Sequence, residues 1–125
     1  MPLFETYRNK EFRQQILEIQ DQEWIDHSDF IEKYGSNNNP DAFTTRLAVS
    51  SYFDGIGVLL RKDLVEIGMV NDLIGNSIIS VWEKIGSNLL ETRKRTNNPF
   101  IYTDFEYLYE EIIKYREQNP KKLNP

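Results

Sequence analysis

The chain has 125 residues, a net charge of −5, one histidine and no cysteine. This length is typical of one domain, and 39% hydrophobic residues suffice for one core, which excludes a wholly disordered chain. The negative charge disfavours nucleic-acid binding, and the lack of cysteine excludes disulfides and thiolate chemistry. We therefore predict a single domain over residues 1–125, with a core at approximately 10–118 and a frayed C-terminal tail at 119–125.

The sequence contains no segment apolar enough to be a signal peptide or a membrane span. Its longest apolar run covers only residues 56–60 and is flanked by charges, whereas a spanning helix needs about 20 residues. The first residues are charged throughout and lack the apolar core of a signal peptide. We predict a soluble, cytoplasmic protein.

The N-terminal part is predicted to form one or two helices. Phe12, Ile16 and Ile19 repeat at the spacing of one helical face, and Asn9 is a plausible N-cap. Ser28 is a possible cap for a short helix that follows. The pattern leaves open whether residues 21–26 are helix or loop.

A loop at residues 35–39 separates these helices from a long one. Asn39 is placed to cap that helix, and Pro40 stands where a first helical residue would. The helical pattern continues to about Lys62. A short helix over about 69–74 is then expected to end or bend at residues 75–76, where glycine and asparagine follow each other.

Two further helices are predicted in the C-terminal half. The first has apolar residues at helical spacing from Ile78 to Leu89 and is stopped by residues 96–99. The second begins at a capping box, Thr103-x-x-Glu106, and ends before Pro120. No segment alternates like a strand, so the fold class is all-α: a single compact helical domain of about five or six mostly antiparallel helices.

Gly55-x-Gly57 resembles the start of a phosphate-binding loop, but its context disagrees. Such a loop lies between a strand and the first turn of a helix, whereas these glycines lie inside a long helical pattern. A glycine inside a helix costs up to about 1 kcal/mol against alanine, which close packing can offset. We therefore predict that Gly55 and Gly57 allow a neighbouring helix to approach.

Asp54 is the one carboxylate among apolar residues of that helix. It is a candidate for a catalytic acid, for a charge that binds a partner, for a buried carboxylate paired with a basic residue, or for a side chain that faces water. We prefer the last two interpretations and name Asp54 as the buried-polar candidate.

No metal or cofactor site is predicted. His27 is the only histidine, and the acidic residues around it lack the spacing and glycine of an EF-hand, so they are interpreted as a solvated helix face. Arg93, Lys94 and Arg95 form the strongest basic cluster. A helix C-terminus favours such cations, and an anionic partner or a membrane surface is the alternative.

The last predicted helix has more apolar side chains than one face needs. Ile101, Tyr102, Tyr109 and Ile113 would form a second stripe beside the core-facing residues. Tyrosines near a surface patch are typical of interfaces. The stripe is interpreted either as core covered by other helices or as an interface for a partner or a second copy.

Three segments, taken in order, resemble a known family: residues 52–65, 70–84 and 98–112. The matching features include Phe53-Asp54 with Gly57, Trp82-Glu83, and Phe105 with Leu108. The chain is similar here to an uncharacterised prokaryotic all-helical family, domain of unknown function 4760. One departure is Asp63, where the family often has glycine.

The resemblance implies an all-helical fold and carries no activity, cofactor or catalytic residue. Many relatives look as if they have membrane helices ahead of this domain, which suggests membrane association only weakly. Our main hypothesis is a non-enzymatic protein-interaction module that binds a protein partner or itself through the C-terminal helix. The alternative is a small carboxylate-dependent or metal-dependent enzyme, or a ligand-binding protein, that uses Asp54.

Overall fold

The computed structural model describes residues 4–120, and these residues form six helices and no strand. The all-α prediction is therefore confirmed. The helices are α1 (Glu5–Arg8), α2 (Lys10–Asp21), α3 (His27–Tyr34), α4 (Pro40–Arg61), α5 (Ile67–Arg95) and α6 (Thr103–Gln118). Of the predicted tail, residues 121–125 lie outside the described part of the chain. None of the six helices is long and apolar enough to cross a membrane.

The core is built around α6, which packs mainly against α4 and α5, while α2 covers both of these helices. Three aromatic side chains connect the layers: Phe105 lies 5.4 Å from Phe53 and 5.0 Å from Trp82, measured between ring centroids. Buried aliphatic residues of α2, α4, α5 and α6 complete one apolar cluster. Burial of these large rings provides much of the driving force for folding.

The helix N-termini follow local hydrogen-bonding chemistry. The side chain of Asn9 accepts from the Glu11 N–H at 2.8 Å, and that of Asn39 accepts from the Ala42 N–H at 3.1 Å. Both predicted caps are confirmed. Ser28 is not a cap, because Asp26 takes that place and starts α3 two residues earlier.

The predicted end of a helix at Gly75-Asn76 is wrong, since α5 runs through both residues. Gly75 is buried, and a Cβ atom there would lie 2.8 Å from the Arg116 Nη2 atom of α6. Arg116 donates to the Asn71 and Asn76 side chains at 2.7 and 2.9 Å. The glycine therefore admits an arginine from α6, and this contact offsets its low helix propensity.

The turn after α4 explains one departure from the family pattern. Asp63 has φ of 58°, in the left-handed region that glycine adopts most easily. Aspartate tolerates this conformation better than most other residues. The position thus keeps a backbone geometry suited to glycine although its side chain is different.

Candidate functional site

Asp54 connects α4 to the beginning of α6. Its Oδ1 atom accepts hydrogen bonds from the Asp104 N–H at 3.1 Å and from the Phe105 N–H at 2.9 Å. The side chain is half-buried, and this burial raises the pKa of Asp54, opposed by the bond from Phe105. Among the described residues, Asp54 is therefore neither simply solvated nor hydrogen-bonded to a basic side chain. It caps a different helix.

This long-range cap replaces the predicted capping box. Helix α6 begins at Thr103, and its N-cap is Tyr102. The Tyr102 side chain makes no capping hydrogen bond to the helix. Glu106, the predicted second member of the box, instead accepts from Arg93 at 2.7 Å. The prediction failed because Thr103 is already the first helical residue, and because Asp54 and Arg93, both distant in sequence, bind the groups at the start of α6.

The two glycines of α4 occupy different environments. A Cβ atom on Gly57 would lie 2.0 Å from the Asp104 carbonyl oxygen, so α4 and α6 touch through their backbones at this point. Gly55 has nothing within 4 Å of the corresponding position. The prediction of close packing is therefore wrong for Gly55, and Gly57 alone makes the approach.

Arg93 turns inward from the basic cluster at the end of α5. Its Nε donates to the Ile101 carbonyl oxygen at 2.7 Å, and its Nη1 pairs with Glu106 at 2.7 Å. The Nη2 atom is buried without a hydrogen-bond partner among the described residues. Arg95 pairs with Glu91 on the surface. The predicted cluster is thus not one exposed basic patch.

A cavity of about 400 Å³ lies beside Asp54. It is enclosed by α4, the C-terminal part of α5 and the residues that begin α6, and we call it the α4–α6 cavity. Its lining is mostly apolar and includes two of the predicted interface residues: Phe43, Arg46, Leu47, Asp54, Leu89, Thr92, Ile101 and Tyr102. Tyr102 reaches the cavity from a left-handed backbone conformation with φ of 51°.

Arg46 is the cationic member of this lining, and only 7% of the residue is exposed. Its Nη1 donates to the Tyr34 carbonyl oxygen at 3.0 Å. The guanidinium carbon lies 4.7 Å from the ring centroid of Phe30 and 5.3 Å from that of Phe43. Burial lowers the pKa of Arg46. We did not predict this residue as part of a site, although an arginine three residues after Phe43 and three before Val49 is placed on the core face of α4.

The four predicted interface residues do not share one surface. Ile101 and Tyr102 line the cavity, whereas the Tyr109 ring stacks on Trp82 with centroids 6.0 Å apart. Tyr109 also donates to Glu83 at 2.8 Å, and this bond raises the pKa of the phenol. Ile113 is half-exposed on the same helix. Tyr109 is therefore largely engaged within the chain.

His27 lies at the start of α3 and contacts α5. Its Nδ1 atom is 2.8 Å from the Asn88 Oδ1 atom, which makes it a donor to the amide oxygen. Within residues 4–120, no group of three or more histidine, aspartate or glutamate side chains is arranged to hold a metal ion. The His27 side chain connects the start of α3 to α5 through its contact with Asn88.

Comparison with known proteins identifies one family. The family model described as "Domain of unknown function (DUF4760)" matches residues 2–112. No curated protein and no solved structure matches the chain. The family description adds no activity, so the site has to be interpreted from its own residues.

Proposed function

The chain belongs to the DUF4760 family, and from its own geometry we propose that it binds a small, largely apolar ligand in the α4–α6 cavity. The observation that carries this proposal is the lining itself, mostly apolar walls around a nearly buried arginine whose Nη1 atom bonds to a neutral carbonyl oxygen. Ligand pockets commonly have volumes of about 300–1,000 Å³ and combine apolar walls with a few polar groups. The cavity has this size and composition.

Two features of the lining support binding rather than catalysis. Asp54, the one carboxylate among the lining residues, has its Oδ1 engaged by two N–H groups of α6. A carboxylate held in this way positions a helix. Tyr102, which also lines the cavity, has a left-handed backbone conformation that costs about 1–2 kcal/mol for a residue with a Cβ atom.

We expect octanol, a neutral apolar probe, to bind the wild-type protein saturably and to raise its thermal midpoint. Leu47→Trp should weaken this binding at least about tenfold, because the indole would occupy the cavity from its rim. Leu73→Trp is the matched control, since Leu47 and Leu73 are similarly exposed, at 45% and 53%, and Leu73 does not line the cavity. Calorimetric titration measures both effects.

Equal octanol binding by the wild type and by Leu47→Trp would place the ligand elsewhere. Octanol binding that does not saturate in the wild type would contradict the proposal of a ligand site in the α4–α6 cavity. Circular dichroism of both variants checks that each keeps the helical content of the wild type.

The second candidate function is the protein-interaction module predicted from the sequence. The observation that favours it is the partial exposure of Ile113 and Tyr109 on the outward side of α6. Ile113 is the better probe of the two, because Tyr109 packs against Trp82. In this proposal, Ile113 contacts a protein partner or a second copy of the chain.

If the chain self-associates through α6, Ile113→Asp should convert a dimer into a folded monomer, because a charge in an apolar contact is costly. Light scattering measures the mass of both forms, and Leu17→Asp on α2 is the control for an exposed apolar residue elsewhere. A wild type that is monomeric at all accessible concentrations would exclude the self-association form.

The cytoplasmic location, the prokaryotic origin and the lack of a cofactor and of a nucleic-acid partner stay predictions.

A further inference from the structure

Building on the proposed function, we infer that the ligand of the α4–α6 cavity carries a carboxylate and that Arg46 binds it. The inference concerns the class of ligand, an apolar body with one carboxylate at its end. Its basis is the charge balance around the cavity, where one buried cation lacks an anionic partner.

Arg46 is a nearly buried charge whose neighbours compensate it only partly. It forms no ion pair within residues 4–120, and its single hydrogen bond goes to a neutral carbonyl oxygen, that of Tyr34. Burying an unpaired charge is expensive, and two aromatic rings offset only part of the cost. A carboxylate in the cavity would supply the missing charge and accept from the unused N–H groups.

The other charged side chains near the cavity already have partners within residues 4–120: Arg93 and Asp104 are in ion pairs, and Asp54 has two N–H donors. Asp54 accepts from two N–H groups at the N-terminus of α6, and these donors hold its Oδ1 atom. Arg93 itself is paired with Glu106, and Asp104 is paired with Arg61 at 2.7 Å. Arg46 is therefore the group to which an incoming anion would be drawn.

The positions of Arg46 and Asp54 also orient the ligand. They are eight residues apart on α4, which corresponds to about 12 Å along the axis at about 1.5 Å per residue. A carboxylate near Asp54 would be repelled, whereas one near Arg46 would be attracted. The apolar body would then extend from Arg46 along the leucine and isoleucine side chains toward Tyr102.

A carboxylate fits these surroundings better than a phosphate. Guanidinium and carboxylate groups form paired, parallel hydrogen bonds, which require only one charged group on the ligand. A phosphate ester would bring further charge and tightly bound water against Phe43, Leu47 and Leu89. We therefore assign the site to a monocarboxylate.

The test compares probes that share one chain and differ in the head group: octanoate, octanol, octylamine and octyl phosphate. By calorimetric titration of the wild type, octanoate should bind about ten- to a hundredfold more tightly than octanol, as expected for hydrogen bonds to charged groups. Octylamine should bind most weakly. The Arg46 Nε–H resonance should shift with octanoate and stay unchanged with octanol.

The variant Arg46→Met removes the charge and keeps an unbranched side chain. We expect the ratio of octanoate to octanol affinity to fall to about one, while octanol binding is retained. Arg46→Lys keeps the charge and should preserve part of the preference. Because the readout is a ratio of two ligands on the same protein, a general loss of stability does not imitate the result.

The outcomes separate this inference from the proposed function. Equal binding of octanoate and octanol by the wild type overturns the carboxylate assignment and leaves the cavity as a binding site. Tighter binding of octylamine or octyl phosphate than of octanoate also overturns it. An unchanged ratio in Arg46→Met removes Arg46 from the role, and the lack of saturable binding by every probe overturns both proposals. If Arg46→Met does not fold, the wild-type ratio and the Arg46 resonance decide.

Discussion

Gly57→Ala is expected to lower the free energy of unfolding by about 3 kcal/mol, at the upper end of what overpacking usually costs. The new methyl group would lie 2.0 Å from the carbonyl oxygen of Asp104 and 2.6 Å from its carbonyl carbon. Both atoms belong to backbone, so relief requires α6 to move away from α4. That movement would also stretch the hydrogen bonds from α6 to Asp54.

Gly55→Ala is the matched control, two residues away on the same helix. Its methyl group would enter open space, so we expect the higher helix propensity of alanine to raise stability by up to about 1 kcal/mol. Urea denaturation monitored by circular dichroism measures both variants. Similar effects of the two substitutions would show that α4 and α6 do not approach at Gly57.

Asp54→Ala is expected to lower the free energy of unfolding by about 2 kcal/mol, because two N–H groups at the start of α6 lose their acceptor. Asp54→Asn should cost much less. Both N–H groups donate to one oxygen, and the asparagine side chain retains an acceptor of the same shape. Chemical denaturation near neutral pH compares the variants. A loss in Asp54→Asn as large as in Asp54→Ala would show that the charge, rather than the acceptor, holds α6.

The pH dependence of stability provides a second comparison of the wild type with Asp54→Asn. Burial raises the pKa of Asp54 above its ordinary value of 3.8, so the folded state holds this proton more strongly than the unfolded state. The associated stability is fully present below the unfolded pKa and is lost as pH rises through the folded pKa. As pH rises from the unfolded to the folded pKa of Asp54, the free energy of unfolding of the wild type should therefore fall relative to that of Asp54→Asn. A constant difference between the two proteins would contradict the raised pKa.

The helices were predictable from the sequence where their signals are local. Asn9 and Asn39 cap their own helices, so neighbouring residues determine the geometry. The helix end at Gly75 was mispredicted because a glycine costs a helix only about 1 kcal/mol. The contact of Gly75 with Arg116 of α6, 41 positions further along the chain, outweighs a cost of that size.

The candidate site was only partly predictable. Asp54, Ile101 and Tyr102 were named from the sequence, but for separate roles, and the structure brings them to one cavity. Arg46 was missed, although its place on the apolar face of α4 is visible in the sequence. That place shows only that the side chain is buried. Whether a buried arginine has an acidic partner depends on which helices pack beside it.

The sequence by itself determined the all-helical class and the core face of α2, Phe12, Ile16 and Ile19, because both follow from spacing along a single helix. It also determined the two asparagine caps, which need partners only two or three residues away. Only the tertiary structure decided that Gly57 rather than Gly55 touches α6, that Asp54 caps a helix 50 residues further along the chain, and that Arg46 lines a cavity. These features depend on the approach of helices distant in sequence, and a linear pattern does not record which partner each face meets.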